Sequence, residues 1–244
     1  MPMLSFQFHA DGKTVNGQVP IERVVIAGWT GRDPAAIQHH IDELVAIGVK
    51  PPSTVPLYYR VSASLVTQAP AIQVLGNASS GEIEPVLFAA DGRLWLTLGS
   101  DHTDREAESA GVALSKQLCA KPVAREAWLW DEVQRALPGG AGGAHDAPGN
   151  ADRLLLTSSI IEESLQVPYQ QGTLAQIRPL SALVAGLEAA HGITMSDGTL
   201  MFCGTLGAIG GVRSSPRFSG RLEDQAAGRS LSLDYAVETL PVVA

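Results

Sequence analysis

Two carboxylates stand at the mouth of an apolar run in "SSGEIEPVLF", residues 79–88: Glu82 and Glu84. On a strand, residues two apart share a face, so both side chains would project together. Like charges that close repel, and burying either one unpaired costs several kcal/mol. Two readings resolve the conflict. Either the pair is solvated at a strand end, or a divalent cation turns the repulsion into shared attraction. A third oxygen donor is at hand in "LTLGSDHTDRE", where Asp101 follows the next strand. Asp91-Gly92 is a hairpin signal, so the strand through Leu94–Leu98 runs back beside the Glu-bearing one. Its far end returns Asp101 to the level of Glu82 and Glu84. An Asp ahead of a helix is also an ordinary capping residue. Three carboxylates are hard ligands suited to Mg2+ or Mn2+, with Ca2+ able to substitute. With no His or Cys among them, zinc is disfavoured.

The elements that would position these residues follow from pattern. A strand pair is expected in "LSFQFHA" and "QVPIERVVIAGW", turning at Asp11-Gly12. Asp33-Pro34 reads as an N-cap and first helical residue, opening "PAAIQHHIDELVAIGV", which Pro51-Pro52 ends. Strands follow in "VPLYYRV", "AIQVLG", "IEPVLFAA" and "RLWLTLGS". A second helix is expected from Asp104 to about Leu118, with "TDRE" as a capping box in which Thr103 is the N-cap. Residues 138–150, "PGGAGGAHDAPGN", read as a surface loop. Beyond it come strands in "RLLLTSSII" and "ESLQVPYQQGTLAQI", a helix in "LSALVAGLEAAHG", and a turn- and strand-rich tail. Runs of strands with few helices predict a mixed, β-rich α+β fold and not an alternating βαβ one. Residues 1–50 form an N-terminal strand and helix segment able to fold over the site as a lid, and residues 51–244 the main domain.

Composition narrows the function classes. A chain of 244 residues with 45% hydrophobic and 17% charged residues can bury a sizeable core. The net charge of −8 argues against nucleic-acid and anionic-membrane partners. No stretch reaches the ~20 apolar residues of a bilayer span, and the N-terminus lacks the pattern of a secretory signal. Two cysteines, Cys119 and Cys203, make no disulfide framework. A cytoplasmic setting is the expectation.

Several stretches fall in an order that carries further meaning. "QHHIDEL" precedes the strand "PLYYRV"; "GEIE" precedes "SDHTDRE"; "SKQLCAKPVA" and "MSDGTLMFCGTLGAIGGV" come later. This arrangement resembles the fumarylacetoacetate hydrolase family, whose metal signature is Glu-x-Glu on a strand followed by Asp in an "N-D-[apolar]-S-x-R-D" turn. Asp101, Thr103, Arg105 and Glu106 fall in register with that turn. His40 and Glu43 match a His-x-x-Glu pair, Lys116 a downstream lysine, and Thr205 a threonine in a glycine-rich stretch. The departures are specific: Ser100 stands for the family's Asn, Gln117-Leu118-Cys119 for a Phe-Asp segment, and the Asn-Tyr before the histidine is missing.

The resemblance implies a β-roll, a homodimer, and Mg2+ or Mn2+ held by Glu82, Glu84 and Asp101. It implies a small oxo-acid substrate, gripped by Arg105 and Thr205, with an enolate stabilised by the metal and Lys116. His40, oriented by Glu43, would be the general base. Helix spacing alone leaves His39, four residues before Glu43, as a competitor. Lys116, on a charged helix expected to be exposed, also reads as a solvated side chain. Hydrolysis of a C–C bond in an acylpyruvate-like substrate leads; decarboxylation, isomerisation and sugar-acid dehydration share the enolate. The rival from another class is a metal-containing binding protein without activity.

Overall fold

The computed structural model describes residues 1–46, 50–135 and 151–243. Two Asp-Gly turns begin the architecture. Asp11-Gly12 and Asp91-Gly92 take left-handed backbone at both residues, φ 52° and 70°, then 52° and 67°. That is the hairpin conformation glycine and aspartate tolerate best. The first joins β1 (Met3–Ala10) to β2 (Lys13–Pro20), and the second joins β8 (Ile83–Ala90) to β9 (Arg93–Ser100).

The remaining elements, in chain order, are β3 (Arg23–Gly28), α1 (Pro34–Ala46), β4 (Leu57–Val61), β5 (Val66–Thr67), β6 (Ala71–Leu75) and β7 (Ser79–Ser80). After the β8–β9 hairpin come β10 (Thr103–Asp104), α2 (Val112–Leu118), β11 (Lys121–Pro122), β12 (Glu126–Leu129) and α3 (Trp130–Arg135). The last part holds β13 (Leu154–Glu162), β14 (Leu165–Thr173), α4 (Leu180–His191), β15 (Thr199–Phe202), β16 (Arg217–Asp224) and β17 (Arg229–Leu240).

Eight strands form one sheet in the order β2-β1-β12-β9-β8-β15-β3-β4. Five form a second, β14-β13-β16-β17-β6. One face of the large sheet packs on the small one, burying Leu87, Leu96 and Leu98 with Leu156, Phe218, Leu222 and Leu231. Its other face curls inward, gathering Leu4 and Phe6 from β1 with Val61 from β4 and Val86 and Phe88 from β8. β5 closes the curl by pairing with β11. Gln68 clasps Ser5, accepting from its N–H at 2.8 Å and donating to its carbonyl at 3.0 Å. The result is the expected β-rich roll. The strands of residues 1–50 belong to the same large sheet as those that follow, with β1 beside β12 and β3 beside β15.

One expected helix is corrected. Residues 103–106 do not cap a helix; Thr103 and Asp104 pair with Ser80 and Ser79 as a short antiparallel strand. The Thr103 hydroxyl donates to the Asp101 carbonyl at 3.0 Å. Asp104 is the capping side chain, accepting from Ala107 N–H at 3.0 Å. A 3-10 turn at Ala107–Ser109 follows, and α2 begins only at Val112. The side chain that caps here is Asp104 and not Thr103, and what it caps is a 3-10 turn and not the α-helix. The glycine-rich run 138–150 and the end of the first expected helix, residues 47–49, lie outside the described residues. Among the described residues no helix is long and apolar enough to cross a membrane.

Candidate metal centre and active site

Glu82, Glu84 and Asp101 meet in space. One carboxylate oxygen of each lies within 4.8 Å of the others. The β8–β9 register brings this about: Ile83 faces Ser100 and Glu84 faces Gly99. One step further, Asp101 N–H donates to the Glu82 carbonyl at 3.0 Å. Gly99 is needed there, because a Cβ would come within 2.6 Å of Phe202 and 2.8 Å of Val86.

Solvation is not what makes the carboxylates tolerable. Glu84 is 2% exposed and Asp101 0%. Burial, then the charge of Asp101, pushes the Glu84 carboxyl well above the usual range, against the pull of Lys116. Its one backbone partner is Gly204, whose N–H donates at 2.7 Å. Gly204 has φ +99°, and a Cβ there would land 1.6 Å from the Thr30 hydroxyl, so only glycine brings this N–H to the carboxylate.

Asp101 is held differently. Burial alone would raise it, but Lys116 and then Lys121 outweigh burial and bring its carboxyl down to about 2. Lys116 Nζ hydrogen-bonds Oδ2 and lies 3.9 Å from Glu82. Lys121 Nζ lies 3.1 Å from Oδ1 and donates to the His102 carbonyl at 2.5 Å. The Oδ1–Lys121 contact pairs two buried opposite charges, though its angle falls short of a well-aligned hydrogen bond. A carboxylate held ionised in this way can still share its oxygens with a cation. Two oxygens bound to one Mg2+ or Ca2+ at about 2.0–2.6 Å lie at most about 4–5 Å apart. The triad therefore fits such an ion with little movement.

Lys116 is not the solvated side chain its helix suggested. It is 7% exposed, and its ammonium stands 5.8 Å from the centre of the Tyr59 ring. α2 is too short and too closely packed on β10 and β4 to present a free face at this residue. Tyr59 in turn accepts from Trp29 Nε1 at 3.1 Å, which makes an aromatic wall beside the lysine.

Arg105 is largely committed to protein partners. Its Nε donates to Ser80 at 2.7 Å and its Nη1 to Glu108 at 3.0 Å. Nη2 lies 3.0 Å from Glu82, so the guanidinium also steadies the one partly exposed metal candidate. Thr205, half-buried beside Gly204, donates to the Ile83 carbonyl at 2.7 Å and accepts from Gln170 at 2.8 Å. His39, His40 and Glu43 all lie on α1; the side chains of His40 and Glu43 lie outside the described residues.

Lys121 was missed in the sequence. Its signal was a charged residue inside the otherwise apolar "CAKPVA", where a lysine with 0% exposure needs a carboxylate. His102 and Tyr235 were missed as well, and no local pattern marks them; Ser100 was marked only as a departure from the family's Asn. Together Ser100, His102 and Tyr235 form a buried hydrogen-bonded group behind the carboxylates.

The likeness to solved structures covers nearly the whole chain. A candidate fumarylpyruvate hydrolase from Burkholderia cenocepacia superposes with a TM-score of 0.59 at 20% identity, over 98% of this chain and 96% of that one. A 2-keto-3-deoxy-D-arabinonate dehydratase, solved with magnesium and 2,5-dioxopentanoate, gives 0.55 at 13% identity over 95% and 86%. A yeast fumarylacetoacetate hydrolase family protein gives 0.53 at 12% identity over 91% and 95%. At these identities the likeness shows the fold, which is that of the fumarylacetoacetate hydrolase family. No curated protein matches the sequence. The family model that does match spans residues 27–235, from the end of β3 to the tyrosine behind the carboxylates, and the chain belongs to that family, described as "Protein of unknown function (DUF2848)".

Proposed function

We propose that this protein is a divalent-metal-dependent enzyme acting on a small 2-oxo acid, and that it hydrolyses a C–C bond of an acylpyruvate-like substrate. The observation that carries the reading is the triad of Glu82, Glu84 and Asp101, two of them buried, with Lys116 against it. Two carboxylates taken out of water beside a third, one held by two ammonium groups and one by a backbone N–H, are costly for a fold that makes no use of them. When bound, Mg2+ or Mn2+ supplies Lewis-acid stabilisation to the oxygen of a developing enolate.

The chain's own residues divide the remaining work. Lys116 places a fixed positive charge where negative charge develops on substrate oxygen. Arg105 and Thr205 flank the carboxylates; to meet the substrate's acid end, as this reading has them do, each exchanges a protein partner for a substrate oxygen. In this reading helix α1 serves as a lid, and His40, oriented by Glu43, moves the proton as general base. Decarboxylation, isomerisation and dehydration draw on the same enolate chemistry, and the solved structures that share this fold include a dehydratase. A homodimeric, cytoplasmic enzyme is part of the same reading.

The test is a panel of acylpyruvates, 2-oxo acids and 2-oxo sugar acids, assayed with Mn2+, with Mg2+ and with EDTA. Metal-dependent cleavage of an acylpyruvate is expected. Turnover of a sugar acid or an oxalocrotonate-type acid alone would reassign the reaction, and no turnover of any member would remove the enzyme.

A further inference from the structure

The two segments that carry Glu82 and Asp101 are not regular strand at those residues. Glu82 precedes β8 and Asp101 follows β9. Their ligand-bearing ends need some other restraint, since the carboxylates repel each other. The hydroxyl of Tyr235, on β17 of the small sheet, bonds both residues that flank Asp101, and through them it reaches the Glu82 end. That hydroxyl lies 2.8 Å from Ser100 Oγ and 3.0 Å from His102 Nδ1. Ser100 Oγ accepts from the Glu82 N–H at 3.2 Å, and His102 Nε2 lies 2.9 Å from Ser79 Oγ. The hydroxyl therefore fixes Ser100 and His102, the two side chains that tie residues 100–102 to residues 79–82.

Two further observations fit a positioning role. A Cβ at Gly81 would come within 2.7 Å of the Tyr235 hydroxyl and 2.6 Å of Phe218, so the backbone before Glu82 is pressed against this ring. The ring itself is fixed by Phe218 at 5.5 Å between centroids and by His102 at 5.8 Å. Tyr235 is 1% exposed and touches none of the carboxylates through an ion pair or hydrogen bond. Its reach to them is through Ser100 and His102.

We propose that Tyr235 is a positioning residue for the metal centre, one hydroxyl that sets the separation of Glu82 and Asp101 from behind the site. The inference rests on the metal reading above. Outer-shell partners of this kind typically change metal affinity 10–100-fold when removed.

The experiment is Mn2+ titration of metal-stripped protein, well below the melting temperature, for the parent, Tyr235→Phe, Ser100→Ala and Phe218→Leu. Tyr235→Phe keeps the ring and deletes the hydroxyl, so its Mn2+ dissociation constant should rise at least tenfold. Ser100→Ala frees the Glu82 N–H and should weaken binding in the same direction, which keeps the test alive if Tyr235→Phe does not fold. Phe218→Leu loosens the same packing without touching the hydrogen bonds; it should lower the melting temperature and leave Mn2+ affinity near the parent's. Parent-like affinity in both hydroxyl variants overturns the proposal alone. So does equal weakening in Phe218→Leu, which would make the effect one of general packing. A parent that takes up no Mn2+ overturns the metal centre and this proposal with it.

Discussion

Asp101 is clamped between two ammonium groups, and the two are not equivalent. Lys121 is sealed in, reaching Asp101 and a backbone carbonyl. Lys116 leans from α2 across Asp101 toward Glu82. Burial would strip the proton from Lys116, but Asp101, Glu82 and Glu84 hold it on and raise its affinity for the proton. A divalent cation at the same carboxylates repels that ammonium. Lys116→Met should therefore bind Mn2+ as tightly as the parent or more tightly, while turnover falls by two or more orders of magnitude on the scale of a lost charge-stabilising group. Measuring the Mn2+ dissociation constant and kcat on the same preparation separates the two. Weaker Mn2+ binding would instead make Lys116 a brace for Asp101. At this scale the sequence showed the three carboxylates because a hairpin register relates them across 17 residues. It hid Lys116's burial, because helix periodicity says nothing about what packs on a seven-residue helix. Tyr235 was out of reach altogether: only the packing of one sheet on the other brings it to Ser100.

Among the elements, those defined by local chemistry were legible. The Asp-Gly hairpins and the strands of the β8–β9 pair stand where alternation and turn residues placed them. The helix expected from Asp104 to Leu118 ends where it was expected but begins only at Val112, because Thr103 is buried and its backbone pairs with Ser80. A short tertiary strand overrode a local capping signal. Helix α1 runs from Pro34 as the Asp-Pro signal indicated. Asp33 accepts from Ala35 N–H at 2.9 Å at its start. Its chemistry is a matter for mutation. If α1 carries the general base, His40→Ala should keep Mn2+ and substrate binding and lose about 10² to 10⁴ in kcat. Glu43→Gln should lose less, and His39→Ala, about 100° round the helix, should be close to the parent. A crippled His39→Ala with a healthy His40→Ala would move the base by one residue. Parent-like rates for both would make α1 a scaffold.

At the scale of the molecule, two sheets divide the labour. The curled eight-stranded sheet presents the ends of β8 and β9, where the carboxylates stand, and the five-stranded sheet backs them with Tyr235, Phe218 and Gln170. Composition and strand pattern predicted the β-rich class, since runs of strands are visible in any order. They could not predict which sheet each strand would join, because β1 with β12 and β17 with β6 are parallel pairings across long intervals. The central claim is narrower than the fold: a cation holds Glu82, Glu84 and Asp101 together. Isothermal titration of metal-stripped parent and Glu84→Gln with Mn2+ tests it most directly. Glu84→Gln is nearly isosteric and removes a deeply buried carboxylate that repels its neighbours, so it should fold at least as well as the parent in metal-free buffer. The account predicts one Mn2+ per chain for the parent and no measurable binding for Glu84→Gln; equal binding by the two proteins, or none by the parent, would contradict it.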